Sequence, residues 1–155
     1  MSTDESKEER LDRELIEFLN ELRVILPGVQ VLFAFLLTVP FSNRFSAITN
    51  GQRQIFFAVF LCTTVATALL IAPSAYHRLR WRDYDKEQML RTSNKLAIAG
   101  MLFLSLALVG AAFLVTDLLF HATAAALVTA AVAIVFAWFW WGLPLTRKLR
   151  DQESS

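Results

Sequence analysis

The sequence predicts an all-α polytopic membrane protein, with four transmembrane helices in a bundle and an amphipathic cytoplasmic helix before them. Hydrophobic residues make up 55% of the 155 residues and charged residues only 19%, a balance typical of membrane proteins. Four long runs carry no Lys, Arg, Asp or Glu. Because the bilayer core holds no water to satisfy backbone groups, each run is predicted to be an α-helix.

The first predicted element is an acidic amphipathic helix within residues 1–23. Ser6 and Glu9 have capping-box spacing, and the segment carries eight acidic and four basic residues. Apolar residues recur on one face at helical spacing: Leu11, Leu15, Phe18, Leu19 and Leu22. We expect this helix to fold over the basic segment 75–95 with its leucine face on the membrane or the bundle.

A joint is predicted at Pro27 and Gly28, between the N-terminal helix and the first span. Proline fits the first turn of a helix, but it has no backbone N–H to donate a hydrogen bond to the carbonyl of a preceding turn. Gln30 follows one turn later, where its amide can reach water or a lipid headgroup. The alternative is that a broken helix exposes backbone groups to a ligand, as in transporters.

A transmembrane domain is predicted over residues 24–145, followed by a cytoplasmic tail, 146–155. Each span holds about 20 apolar residues, enough to cross a hydrocarbon core of about 30 Å. The predicted spans are 24–42, 55–73, 96–116 and 119–141. A basic cytoplasmic loop, 74–95, joins the second span to the third.

Lys and Arg predict the orientation of the chain, because translocation of positive charge is resisted during insertion. Thirteen of these residues precede span one, lie between spans two and three, or follow span four, and only Arg44 and Arg53 lie between spans one and two. Both termini are therefore predicted to be cytoplasmic.

Stripes of small residues are predicted to face inward, since close packing drives helix association in lipid. They are Ala122, Ala126 and Ala130 in span four, Ala107 and Ala111 in span three, and Thr63, Thr67, Thr64 and Ala68 in span two. A homodimer seam along one stripe is the alternative. Cys62, the single cysteine, is interpreted as a packing residue.

Catalytic chemistry is not indicated, because no ionisable residue lies in the middle of a span. Asp117 and His121 lie four residues apart at the outer turn. They are interpreted as a water-exposed turn, with a hydrogen-bonded pair or half of a metal site as the alternative. His77 and His121 lie a bilayer thickness apart, too far to share one haem. We expect no enzyme activity, catalytic residue, cofactor or metal.

The segment 75–95 is the most distinctive polar stretch, with six basic and three acidic residues. Its charges, which include Arg80 and Arg82, fix the topology in the simplest interpretation. Alternatively they bind anionic lipid headgroups, at roughly 1 kcal/mol per basic residue. Membrane lipids and a protein partner or homo-oligomer are the expected contacts, and nucleic acid is not.

Two segments carry a resemblance to a known family: "ELRVILPGVQVLFAFLLTVPF" and "APSAYHRLRW". They resemble the signature segments of a bacterial family of small four-span inner-membrane proteins of unassigned function, some of which carry an automated sodium:proton antiporter label. The resemblance implies a bacterial inner-membrane location. It also implies interest in the motif positions Glu21, Arg23, Pro27, Gln30, Pro73, His77 and Arg78.

The predicted function is that of a non-enzymatic accessory, scaffold or membrane-organising component. The alternative is a small ion or solute transporter of the cation:proton antiporter type, active alone or as an oligomer. Such exchange normally needs a carboxylate near the bilayer midplane, which this chain lacks. A site at the inner interface built from Glu21, Arg23, His77 and Arg78 is the remaining route to transport.

Overall fold

A computed structural model describes residues 7–43, 45–79 and 86–142. Four α-helices follow in chain order: α1 (Lys7–Thr38), α2 (Asn50–Leu79), α3 (Lys86–Leu119) and α4 (Ala122–Phe136). Short 3₁₀ turns at Val39–Phe41 and Phe45–Ala47 lie between α1 and α2, and a π-helical segment, Ala137–Gly142, continues α4. No strand occurs in the described residues, so the all-α class is confirmed.

Each of the four helices is long and apolar enough to cross a membrane, as the sequence predicts. The stretches that meet this criterion are Glu9–Phe41, Asn50–Tyr76, Glu87–Leu119 and Ala122–Trp140. The last of them includes the start of the π-helical segment. Four such helices indicate a membrane protein.

The described residues divide into two compact units. The first is formed by the chain up to Ala47 and by Phe60–Leu104, and the second by Ile48–Val59 and the chain from Ser105 onward. The first unit therefore contains α1, most of α2 and the N-terminal half of α3. The second contains α4 and the remaining ends of α2 and α3.

The predicted break between two helices at Pro27 is wrong, because α1 runs without interruption from Lys7 to Thr38 with Pro27 inside it. Proline has a helical φ, although it removes one backbone hydrogen bond and its ring crowds the carbonyl group of the preceding turn. An apolar stripe with alternating spacings of three and four residues keeps its phase through this position, and none of its members is exposed. The stripe consists of Leu11, Leu15, Phe18, Leu22, Ile25, Val29, Leu32 and Leu36. Such spacing keeps one helix face against its neighbours over the full length.

Helix also occupies much of the segment predicted as the loop 74–95. The second helix extends through Pro73 to Leu79, and α3 begins at Lys86. Pro73 is fully buried in α2. The remaining positions, which include Arg80 and Arg82, lie outside the described residues.

In the first unit, α2 and α3 approach each other closely at Gly100. A Cβ atom at this position would lie 2.8 Å from Cγ of Leu70 and 3.3 Å from Cβ of Leu69. Leu70 is completely buried, as are Thr63 and Ala66 on the same helix. The absence of a side chain at Gly100 therefore allows the two helices to pack at this distance, as small residues do in membrane helix pairs.

The second unit contains a similar approach at Gly110 of α3. A Cβ atom there would lie 2.5 Å from Cγ2 of Val59 in α2. Val59 is buried, and so is Ala107, which lies one turn before Gly110 on α3. Glycine is therefore required for the observed contact.

The prediction for the small-residue stripe of α4 is wrong. Ala122, Ala126 and Ala130 are exposed, whereas Ala125 is completely buried. The less exposed face of α4 continues from Ala125 through Thr129. Since α4 is apolar on every side, the sequence offers more than one small-residue face, and neighbouring helices select one. Thr64 and Ala68 of α2 are also exposed, whereas Thr63 and Ala107 are buried as predicted.

We expect Gly100→Ala and Gly110→Ala each to lower the free energy of unfolding by about 1–3 kcal/mol, because the new methyl group overlaps packed atoms. Gly28→Ala is the matched control, since a Cβ there meets no heavy atom within 4 Å and alanine favours helix. Equilibrium unfolding in mixed detergent and dodecyl sulfate, followed by circular dichroism, measures the difference. Equal stability of the three variants would contradict the packing described for α2 and α3.

Candidate functional site

The helices α1 and α3 are both much longer than a bilayer requires. They contain 32 and 34 residues, which correspond to about 48 and 51 Å of helix, whereas the hydrocarbon core is about 30 Å thick. In both helices the excess length is the charged N-terminal end: no Lys, Arg, Asp or Glu occurs in α1 after Arg23, and Lys95 is the last basic residue of α3. These two polar ends therefore extend beyond an apolar span.

The polar ends of α1 and α3 lie side by side in the first unit and form an open groove, here called the α1–α3 groove. It consists of two adjoining clefts of about 370 and 340 Å³. The α1 wall is formed by Arg10, Leu11, Glu14, Glu17, Phe18 and Glu21, and the α3 wall by Glu87, Leu90, Arg91 and Asn94. Glu14, Leu90 and Arg91 line both clefts, so the groove follows the helices for about three turns.

Ion pairs at the groove run along each helix. Arg10 Nε donates to Glu14 Oε1 at 2.9 Å on α1, and Arg91 Nη2 donates to Glu87 Oε1 at 2.9 Å on α3. Arg13 Nε lies farther from Glu17 Oε1, at 3.9 Å. Because these side chains are largely exposed, each ion pair contributes under about 0.5 kcal/mol to the free energy of unfolding.

The groove has an excess of negative charge at one end. Four carboxylates and two guanidinium groups line it, so its formal net charge is −2. Glu21 forms no ion pair within the described parts of the chain, and Glu17 has the long pair with Arg13. Within the described residues, three glutamates and one arginine line the cleft that contains Glu17 and Glu21, so the negative excess lies next to the last turn before the uncharged part of α1.

A second polar cluster lies in the second unit, at the start of α2 and the end of α3. The backbone N–H of Thr49 donates to Gln52 Oε1 at 2.9 Å, and the N–H of Gln52 donates to Thr49 Oγ1 at 3.2 Å. These bonds form a capping box. The Gln52 amide Nε2 also donates to Asp117 Oδ2 at 2.7 Å. One side chain thus caps α2 and attaches its first turn to α3.

The predicted pair of Asp117 and His121 has a different arrangement in the structure. Asp117 is half-buried and accepts the hydrogen bond from Gln52. His121 is exposed at the residue before α4, and its side chain makes no capping hydrogen bond. Within residues 7–43, 45–79 and 86–142, no group of three or more His, Cys, Asp or Glu side chains could hold a metal ion.

The other predicted motif positions are distributed over different surroundings. Glu21 lines the α1–α3 groove, whereas Arg23, Pro27 and Gln30 are exposed along α1. The backbone of His77 and Arg78 belongs to α2, but their side chains lie outside the described part of the structure. Arg80 and Arg82 lie outside it completely. The proposed grouping of Glu21 and Arg23 with His77 and Arg78 therefore stays a prediction.

Sequence reasoning missed the α3 side of the groove and the role of Gln52. The i, i+4 spacing of Glu87 and Arg91 predicts a helix in this region, and the uninterrupted stripe of α1 predicts a straight continuation past Pro27. Those two signals could have identified paired polar helix ends. No local pattern links Gln52 to Asp117, which lies 65 positions away.

The fold and the groove define a class: an all-helical protein with four helices able to span a membrane and two of them lengthened by polar ends. The chain belongs to the family described as DUF6328, a family of unknown function, whose profile matches residues 4–144. No curated protein and no solved structure matches the chain. The family assignment agrees with the resemblance in one respect, the unknown function of the family, and adds no activity.

We expect Gln52→Ala to lower the free energy of unfolding by about 1–2 kcal/mol, because it removes the capping box and a hydrogen bond to a half-buried carboxylate. Gln54→Ala is the matched control, since Gln54 is exposed on the same helix. Hydrogen exchange of the first turn of α2 measures the local effect. If both variants exchange at the same rate, the bond to Asp117 does not stabilise this end of the helix.

Proposed function

We propose that the protein is a non-enzymatic, multi-pass component of a bacterial inner membrane that acts as an accessory or scaffold for another membrane protein. Both termini are proposed to be cytoplasmic, because thirteen of the fifteen Lys and Arg residues flank the spans on that side in the predicted topology. The bacterial location follows from the sequence resemblance. The α1–α3 groove is the observation that carries the proposal.

The groove supports an interaction role because it combines a continuous helical support with a surface that has both apolar and charged side chains. Phe18 and Leu90 provide apolar area between two charged walls, an arrangement typical of grooves that accept a helix. Phe18 belongs to the apolar stripe of α1, and the next member of that stripe, Leu22, is buried. Two helices that continue into membrane spans hold this surface near the bilayer.

Anionic lipids are a second proposed contact of the same region. Lys95 is exposed on α3 close to the start of its apolar stretch and lines neither cleft of the groove. Basic side chains at this level favour lipid phosphate groups by roughly 1 kcal/mol each. Lipid contacts here would orient the polar ends of the helices without filling the groove, because its charge is negative.

We expect a partner membrane protein to copurify in stoichiometric amount when the full chain is extracted from native membranes with its surrounding lipid. Phe18→Ala with Leu90→Ala should remove the partner, because both residues line the groove. Ile16→Ala with Val24→Ala is the control, since both residues are exposed on α1 and line neither cleft. Equal recovery of the partner with both double variants would place the interaction elsewhere.

We expect no sodium-dependent dissipation of a proton gradient by the purified chain in proteoliposomes, compared with protein-free vesicles. The carboxylates near the spans support this expectation: Glu21 belongs to the exposed polar end of α1, and Asp117 lies at the end of α3 with Gln52 as its partner. Dissipation that requires sodium and is lost in Glu21→Gln or His77→Ala would favour the antiporter alternative.

A further inference from the structure

The negative excess of the α1–α3 groove, counted over the described residues, lies at a particular level along the helices. Glu17 and Glu21 lie one turn apart on α1, and no charged residue follows Arg23 in that helix. They are therefore within about two turns of the start of the uncharged stretch. Glu14 and Arg91 line the same cleft and pair with Arg10 and Glu87 on their own helices, at 2.9 Å in each case, whereas the pair of Glu17 with Arg13 is longer, at 3.9 Å.

The neighbouring surface is apolar. Phe18 lies between the two carboxylates in sequence and lines the same cleft as Leu90 and Asn94. A segment that fits this surface needs an apolar side chain against Phe18 and Leu90 and positive charges against Glu17 and Glu21. Helical spacing meets both requirements, because residues three and four apart share a face.

Transmembrane helices commonly have this chemistry at their cytoplasmic ends, where Lys and Arg accumulate. A helix that packs along α1 and α3 within the bilayer would bring its basic end to the level of Glu17 and Glu21. A free anion or an anionic lipid would be repelled at this point by the two carboxylates.

We propose that the α1–α3 groove binds the basic juxtamembrane end of a partner's transmembrane helix, with Glu17 and Glu21 selecting its Lys and Arg side chains. This inference rests on the proposed accessory role and gives the partner a chemical description. Phe18 and Leu90 supply contact area, and the carboxylates act on orientation and selectivity, as exposed charges at an interface rim do. The groove thereby distinguishes the basic end of a helix from its opposite end.

The test uses the full chain in phosphatidylcholine vesicles and a polyleucine transmembrane peptide with a cluster of lysines at one end. A donor dye is placed on Asn20→Cys in a Cys62→Ala background, since Asn20 is exposed on α1 and lines neither cleft. An acceptor dye is placed at the lysine end of the peptide. A peptide with serines in place of the lysines is the reference, and energy transfer measures association.

We expect the lysine peptide to associate about tenfold more strongly than the serine peptide, the effect of two exposed charge pairs. Glu17→Gln with Glu21→Gln should abolish this preference. Glu17→Lys with Glu21→Lys should transfer it to a peptide with a glutamate end. Glu9→Gln with Asp12→Asn is the control, because it removes the same charge from α1 outside the lining of either cleft, and it should keep the preference.

Three outcomes would overturn the inference. The first is equal association of the lysine and serine peptides, and the second is an equal loss in the control variant. The third is energy transfer, in the absence of peptide, between copies of this chain labelled with donor and with acceptor. If this energy transfer disappears in the Glu17→Gln, Glu21→Gln variant, the groove binds a second copy of the chain. Selective peptide binding without a copurifying partner would instead reject the accessory role and leave the groove's selectivity intact.

Discussion

The apolar stripe of α1 keeps its phase through Pro27, and the position of the groove depends on this continuity. Leu22 and Val29 lie on either side of the proline, seven residues apart, and both are buried. A one-residue change of phase between them would rotate the polar end of α1 by about 100° around its axis. Phe18 would then no longer face Leu90. The groove is thus fixed by packing within the span as much as by the residues that line it.

Charge alone would not hold the polar ends of α1 and α3 together. Arg10 pairs with Glu14 on α1 and Arg91 pairs with Glu87 on α3, and such exposed pairs are weak. They stabilise the polar end of each helix. The groove is acidic because four carboxylates and two guanidinium groups line it within the described residues.

Close approach of helices is achieved by glycine in both compact units. Gly100 admits Leu70 and Gly110 admits Val59, which is the kind of contact expected where lipid removes the hydrophobic driving force between helices. At the end of this pair, Gln52 caps α2 and binds Asp117 of α3. A hydrogen bond between the ends of α2 and α3 thus adds to the close packing at their glycines.

The sequence by itself determined the all-α class, the four apolar helices and the charged segments between them, because hydropathy and backbone satisfaction in lipid constrain each segment independently. The resemblance to a known family drew attention to Glu21. Tertiary structure decided that α1 continues through Pro27, that Ala125 rather than Ala122 faces inward, and that Gln52 meets Asp117. These features depend on which neighbour a helix face meets. A helix that is apolar on all sides, or a pair of residues 65 positions apart, carries no local signal of that choice.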